Sequence, residues 1–478
     1  MKKIFTKIIL TALSLFFFTN LPETKAQVYD KLNMNLLGTY DNPTIPPEPV
    51  YGIRYNGIWG WSNTVGQEFA ILGGGDGVYF VDVTNPANPL LKDFVPGVRD
   101  SCIWRELKTY LNYAYMVSDD YSPNSFMIAD LSYLPDSVHL VHNGTNILER
   151  SHTIFIDGNK LYCASPKGGA VGNGGTSMAV FSLANPAAPV LLRRLNQDYP
   201  AIGSVHDMFV RNDTIYASCG WDGLFIYKFN SNNTFTQIGS LTTYPDQGYN
   251  HMIGLTDNGD VMVMMDEVPN QLAIKVVDVS TVSNPQVVSM FKSSLGDTPH
   301  NPFILGNDYA ICANYQDGVQ IYKITNPVLP VRTGYFDTHW QTPMGNTSYG
   351  YLGCWGAYPY LPSGIILASD MQNGLYVLDA TVALGVGVNE LPDNSNAVNA
   401  YYNNLENSFQ LSFNLLSSQN VKVEITDMTG RAVYSLQKDF AAGKFNFNVP
   451  AAQFASGIYV VAVVSDKLNL TEMVCKQD

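Results

Sequence analysis

A histidine stands at the same place in four consecutive segments, and that recurrence limits the folds open to the chain more than any other feature. His152, His206, His251 and His300 are separated by 54, 45 and 49 residues. Each opens a short run of alternating, β-branched or aromatic residues, as in Val205-His206-Asp207-Met208-Phe209-Val210, then Thr214-Ile215-Tyr216-Ala217-Ser218, then Leu224-Phe225-Ile226-Tyr227. A period of this length, carrying several short strands per unit, is that of a propeller blade.

Turn residues divide the units at matching places. Asp76-Gly77, Asp222-Gly223, Asp317-Gly318 and Asn373-Gly374 accept the positive φ of a tight hairpin. After the strand that follows each turn come Asn85-Pro86 and Asn326-Pro327, with Asn185-Pro186 and Asn284-Pro285 in sister units; proline donates no hydrogen bond and ends the ladder. Three weaker copies carry Trp59-Gly60-Trp61, Trp104-Arg105-Glu106 and Cys354-Trp355-Gly356 in place of the histidine. The count predicts an all-β, seven-bladed propeller, with six or eight blades also compatible. Composition agrees: 478 residues exceed one ordinary core, and 39 Gly, 26 Pro and only 14% charged residues suit many short strands joined by turns.

The formal net charge of -14 opposes a phosphate backbone, and no Lys/Arg run forms a basic patch, so nucleic acid is excluded as a partner. Lys2-Lys3, the apolar stretch Ile8 to Phe18 and a small residue at Ala26 read as a signal peptide over residues 1–26; no later segment is apolar enough to span a membrane. Six cysteines in an exported chain allow 15 pairings. Cys163, Cys219 and Cys312 fall on expected strands, where buried free thiols are the simpler expectation.

In a propeller the first strand of each blade lines the channel and the second returns beside it. His152, His206, His251 and His300 would open the first strands, while Asp222, Asp266, Glu267 and Asp317 would close the second or form its turn. Imidazoles and carboxylates gathered at a channel mouth suit a divalent transition metal, because neutral imidazole is a general ligand for such ions and a carboxylate can orient it. The other reading is structural: each histidine bonds the neighbouring blade and sets its register. His339 lies just before the last unit. Arg105 stands where the series would have histidine and could hold a carboxylate or phosphate; packing on Trp104 is its structural alternative. Trp59, Trp61, Trp355 and Tyr358 divide between a sugar-stacking platform at the mouth and blade core, the commoner fate of such aromatics. The ligand site is thus expected to include Arg105, Trp355, Asp222 and Asp317.

The ordered set Trp59-Gly60-Trp61, Trp104-Arg105-Glu106-Leu107, Ser151-His152-Thr153, Val205-His206-Asp207, Tyr249-Asn250-His251 with Asp266-Glu267, and Pro299-His300-Asn301-Pro302 resembles the choice-of-anchor B family of exported proteins built from LVIVD repeats. The resemblance covers roughly residues 50 to 380 and implies a propeller without implying a reaction. The tail has short alternating strands at Phe409 to Phe413, Val421 to Thr426, Ala432 to Leu436, Phe445 to Val449 and Ile458 to Val464. With Asp427-Met428-Thr429-Gly430-Arg431, Ala455-Ser456-Gly457-Ile458-Tyr459 and Lys476, it is similar to the C-terminal sorting domain of the type IX secretion system of Bacteroidetes. An immunoglobulin-like accessory sandwich is the alternative. That resemblance implies the secretion machinery as partner and export through the periplasm, ending in release or attachment at the outer-membrane surface. The expected organisation is a signal peptide (1–26), propeller (27–384), linker (385–394) and sorting domain (395–478). Two functions fit this sequence: an extracellular binding module with a ligand or metal site at the histidine-lined mouth, or a metal-dependent hydrolase, lyase or oxidase using the same cluster.

Overall fold

The computed structural model describes residues 29–120, 123–294, 296, 298–342, 344–345 and 351–385, and in the tail 398–403, 408–415, 417–465 and 468–476. The expected signal peptide and nearly all of the expected linker lie outside these residues. The chain divides into two compact units, Met1–Gly385 and Val386–Asp478.

The first unit is a seven-bladed propeller. Six successive antiparallel sheets cover residues 55–96, 105–144, 154–194, 207–241, 250–291 and 301–336, hereafter blades 1 to 6, each formed from four strands in chain order. Blade 7 takes three strands from residues 354–379 and its outermost strand, Asn35–Tyr40, from the other end of the unit, paired antiparallel to Gly374–Asp379. Lys31–Leu32 adds a fifth strand to blade 6. Inner strands of successive blades pack side by side, and Cys354–Tyr358 packs on Tyr55–Ser62, which closes the ring.

Blade strands bury both faces, so the core is distributed between blades. Leu161 and Cys163 pack toward blade 2, whereas their neighbours Tyr162 and Ala164 pack toward blade 4. The two-residue side-chain period of a strand thus divides one hydrophobic run between two interfaces. The same division joins blade 1 to blade 2 through Phe69 and Met116, and blade 7 to blade 1 through Val377 and Leu72. At roughly 1.5–3 kcal/mol per large apolar side chain buried, these interfaces hold the ring together. The turn prediction has a steric basis: Gly318 has φ +69°, and a Cβ there would lie 2.2 Å from the Phe336 carbonyl oxygen.

The second unit is a β-sandwich. One sheet contains Val398–Asn403, Ser408–Leu415 and Gly443–Pro450; the other contains Ala432–Phe440, Gln419–Asp427, Gly457–Ser465 and Leu468–Lys476. Phe409, Leu411 and Phe413 from the first sheet meet Val421, Val423, Ile425, Val461 and Val463 from the second. The first and last strands were not among those expected from sequence. Asp427 shapes the turn after its strand by accepting from the Thr429 and Arg431 amides at 3.0 and 3.1 Å.

Candidate functional site

The repeated histidines enter the channel at one level. His206 and His300 stand one residue before their inner strands and His152 two residues before its own, and their amides donate to the Ser218, Ala313 and Ala164 carbonyls on the second strands. In blade 5 the register shifts between Asn250 and Met252, and in blade 7 between Cys354 and Gly356. These bulges bring His251 and Trp355 into the same series. The rings follow one another around the channel: centroids are 4.1 Å apart for His152 and His206, 4.2 Å for His206 and His251, 4.3 Å for His251 and His300, and 4.4 Å for His300 and Trp355.

Hydrogen bonds between blades decide which nitrogen each ring presents. Nδ1 of His206 lies 3.2 Å from the His251 carbonyl, Nδ1 of His251 lies 2.8 Å from the His300 carbonyl, and Nδ1 of His300 lies 2.5 Å from the Trp355 carbonyl. A carbonyl oxygen can only accept, so Nδ1 carries the proton in all three rings and Nε2 keeps its lone pair in the neutral form. His152 differs, because its Nδ1 faces the Asp119 carboxylate at 2.8 Å.

Above this ring is a cavity of about 450 Å³, floored by the four histidines and Trp355 and walled by Trp104, Asp119, Ser165, Trp221, Tyr249, Glu267, Val268 and Tyr351. Asp119 and Glu267 occupy corresponding places, one residue beyond the second strands of blades 2 and 5. Glu267 accepts from the Tyr315 hydroxyl at 2.6 Å, and its other oxygen lies 3.7 Å from Nε2 of His251. His206, His251 and Glu267 bring one donor atom each within 4.8 Å of one another. That donor set, two neutral imidazoles and a carboxylate, is one that divalent transition metals accept.

Burial separates the four imidazoles electrostatically. Desolvation, reinforced by the neighbouring imidazoles, drives His206 and His300 well below the ordinary histidine pKa. His251 is lowered by desolvation, partly offset by Glu267. His152 is also desolvated, but its bond to Asp119 and the charges of Asp119, Asp207 and Glu106 outweigh burial and raise its pKa. Deeper in the channel, burial pushes Asp207 up to about 7, with Lys108 opposing the shift and Glu106 adding to it.

The other expected site residues lie elsewhere. Asp266 is fully buried inside its blade, 2.7 Å from Lys275 Nζ, and also accepts from Tyr244 and the Gly248 amide. The residue next to Glu267 therefore supports the blade, because successive positions turn to opposite sides. Asp317 is buried among Ser293, Ser294 and the Gly345 amide. Asp222 lines a separate surface groove with Tyr199 and Phe225. Arg105 is buried and donates to the Gly74 carbonyl at 3.1 Å. Trp104, one position earlier, joins the cavity instead, so Arg105 is not the counterpart of the histidines. Trp59 lies beside Phe303 and Tyr358, and Trp61 packs between blades 1 and 2. His339 lies 3.8 Å from Asp370 and does not line the histidine cavity. Five cysteines, Cys102, Cys163, Cys219, Cys312 and Cys354, are buried free thiols among the described residues.

Asp119, Trp221, Tyr249 and Tyr351 join the cavity without belonging to the set expected from sequence. The repeat could have found Asp119, because aligning the ends of the second strands places it with Glu267. Trp221 directly precedes the repeated Asp222-Gly223 turn, whereas Tyr351 sits on a connection outside the repeated plan.

Residues 399–477 match the family described as the secretion system C-terminal sorting domain. The protein is therefore exported by the type IX secretion system to the cell surface or extracellular space, and the tail is the part addressed to that machinery. No helix among the described residues is long and apolar enough to cross a membrane. No curated protein sequence matches the chain. Similar solved structures include a candidate 6-phosphogluconolactonase from Bacteroides fragilis NCTC 9343, with 11% identity and a TM-score of 0.45, the match covering 85% of this chain and 100% of that one. Another, from Bacteroides uniformis ATCC 8492, has 11% identity and a TM-score of 0.46, covering 87% and 100%. The blade order observed here defines the propeller independently of these likenesses.

Proposed function

We propose that the exported propeller is an extracellular binding module whose histidine-lined channel mouth holds a divalent transition metal or a small ligand. The observation that carries this reading is the fixed tautomer. Three Nδ1–H groups are committed to carbonyls of the next blade, which leaves each Nε2 with its lone pair and puts that of His251 3.7 Å from Glu267. Metal-bound histidines need the same arrangement, one nitrogen anchored and the other free. The structural and ligand-binding readings of the histidines are therefore compatible: one nitrogen sets blade register and the other serves the cavity. His206, His251 and Glu267 would hold the ion, with depressed imidazole pKa values favouring the neutral ligand form. Tetrahedral zinc, with bonds of about 2.0–2.2 Å, separates its donors by about 3.4 Å, so the observed set would have to draw together on binding. The resemblance of the repeats to the choice-of-anchor B family supports an exported propeller and supplies no reaction.

Elemental analysis and calorimetric titration with Zn²⁺, Mn²⁺ and Cu²⁺ test this reading on the exported protein. Near-stoichiometric binding that falls at least tenfold in Glu267→Gln and His206→Ala supports it. Absence of stoichiometric metal, together with a melting temperature unchanged by either chelator or added ion, sinks the metal form.

A second reading, a metal-dependent hydrolase, lyase or oxidase, is favoured by one observation: the His152–Asp119 pair stands beside the proposed ligands. A carboxylate-oriented imidazole can accept or deliver a proton at Nε2. Turnover lost in both His152→Gln and Asp119→Asn while metal content stays constant distinguishes this reading from binding alone.

A further inference from the structure

Three inner strands carry an aromatic residue three positions after their histidine: His152 to Phe155, His206 to Phe209, and His300 to Phe303. Blade 5 breaks this pattern, because Gly254 stands three positions after His251. A second chamber, of about 180 Å³, borders Gly254, where a Cβ would come within 2.8 Å of Ile304 Cγ1, so Ile304 rather than a ring of blade 5 forms that part of the wall. Its apolar wall includes Trp59, Phe155, Phe209, Ile253 and Phe303, and none of the repeated histidines lines it. Lys108 and Tyr360 also border the space.

The polar atoms around this chamber already have partners. Trp59 Nε1 donates to Thr109 Oγ1 at 3.1 Å, and Tyr360 donates to the Ile304 carbonyl at 3.0 Å while accepting from the Ile304 amide at 3.2 Å. Lys108 Nζ donates to the Leu107 carbonyl at 3.2 Å, lies 3.5 Å from Glu106 and sits 4.3 Å from the centre of the Trp59 ring. A neutral hydrogen-bonding guest would lose water beside side-chain groups that are already engaged, and an anion would meet only the Lys108 ammonium, which Glu106 already faces at 3.5 Å. A neutral hydrocarbon surface gives up no hydrogen bond on entering and fills space that the aromatic walls leave vacant.

We propose that this chamber is a second binding site, selective for a small neutral aromatic molecule between benzene and indole in size. An apolar protein cavity of about 150 Å³ is known to stay dry and accept benzene, so the volume suits that class. The site is separate from the histidine cavity and does not depend on its proposed metal.

The test uses full-length exported protein with benzene and indole as probes, followed by ligand-observed NMR and by thermal shift. Saturable binding of either probe is expected, with affinity reduced at least tenfold in Phe209→Trp, which fills the chamber. Phe209→Ala enlarges it and is expected to shift preference toward naphthalene. His206→Ala and chelator are expected to leave benzene binding unchanged. The proposal fails if neither probe saturates a site on the parent protein, or if both Phe209 variants bind the probes as the parent does. It also fails if His206→Ala abolishes benzene binding in a folded protein, which would assign the probe to the other cavity.

Discussion

The histidine cavity and the apolar chamber are built on many of the same inner strands and have opposite chemistry. At the first, imidazoles hold the neighbouring blade with one nitrogen and keep the other for the cavity, beside carboxylates and aromatic walls. At the second, aromatic rings close the space and the bordering polar groups are satisfied by their own neighbours. The contrast shows how one repeated strand can supply two sites: a residue near its start serves one, and the residue three positions later serves the other.

The largest effect is expected from support beneath the histidine cavity. Lys275→Ala leaves Asp266 charged in a dry blade interior, and breaking a buried pair in this way costs about 3–5 kcal/mol, read by chemical denaturation. A loss below 1 kcal/mol would mean that Tyr244 and the Gly248 amide suffice. Next is the apolar chamber: Ile253→Ala removes a side chain only 1% exposed and is expected to cost about 2–5 kcal/mol while leaving metal stoichiometry intact. If metal content falls with it in a folded variant, the two sites are not independent.

His251→Ala has a smaller effect on folding and a specific one on binding. It removes the Nδ1 bond to blade 6, worth about 1–2 kcal/mol, and one proposed ligand, lowering metal affinity at least tenfold. A change in denaturation midpoint with unaltered metal titration would leave blade register as its sole role. The smallest effect concerns pH. His300 is held neutral in the fold, so it contributes no loss above an unfolded pKa of about 6.5; as pH falls below that value the unfolded chain takes up the proton first and stability declines. His300→Gln is therefore expected to flatten the fall in denaturation midpoint between pH 7 and 5. An unchanged slope would contradict the direction assigned to this imidazole.

The propeller was legible because its signals are local and repeated: Asp222-Gly223 and Asp317-Gly318 mark turns, and alternating strands mark the two buried faces of each blade. Ring closure was less legible, since nothing in Asn35–Tyr40 names a partner more than 300 positions away. At the candidate site the histidines and Glu267 follow from repeat register, and so would Asp119. Asp266 and Arg105 show the limit of that reasoning: one step along a strand moves a side chain from the channel into a blade interface. The bulges at His251 and Trp355 alter the count again, and sequence spacing alone does not reveal them.

The strand shared between the two ends of the propeller makes completion of the ring a test of chain integrity. Asn35–Tyr40 emerges early in synthesis but finds its ladder only after Gly374–Asp379 has followed. A nascent chain halted inside blade 6 or 7 therefore exposes both an unpaired edge and an unmatched segment that could dock with another incomplete copy. The join that secures the finished propeller is therefore one that a truncated chain cannot make within itself.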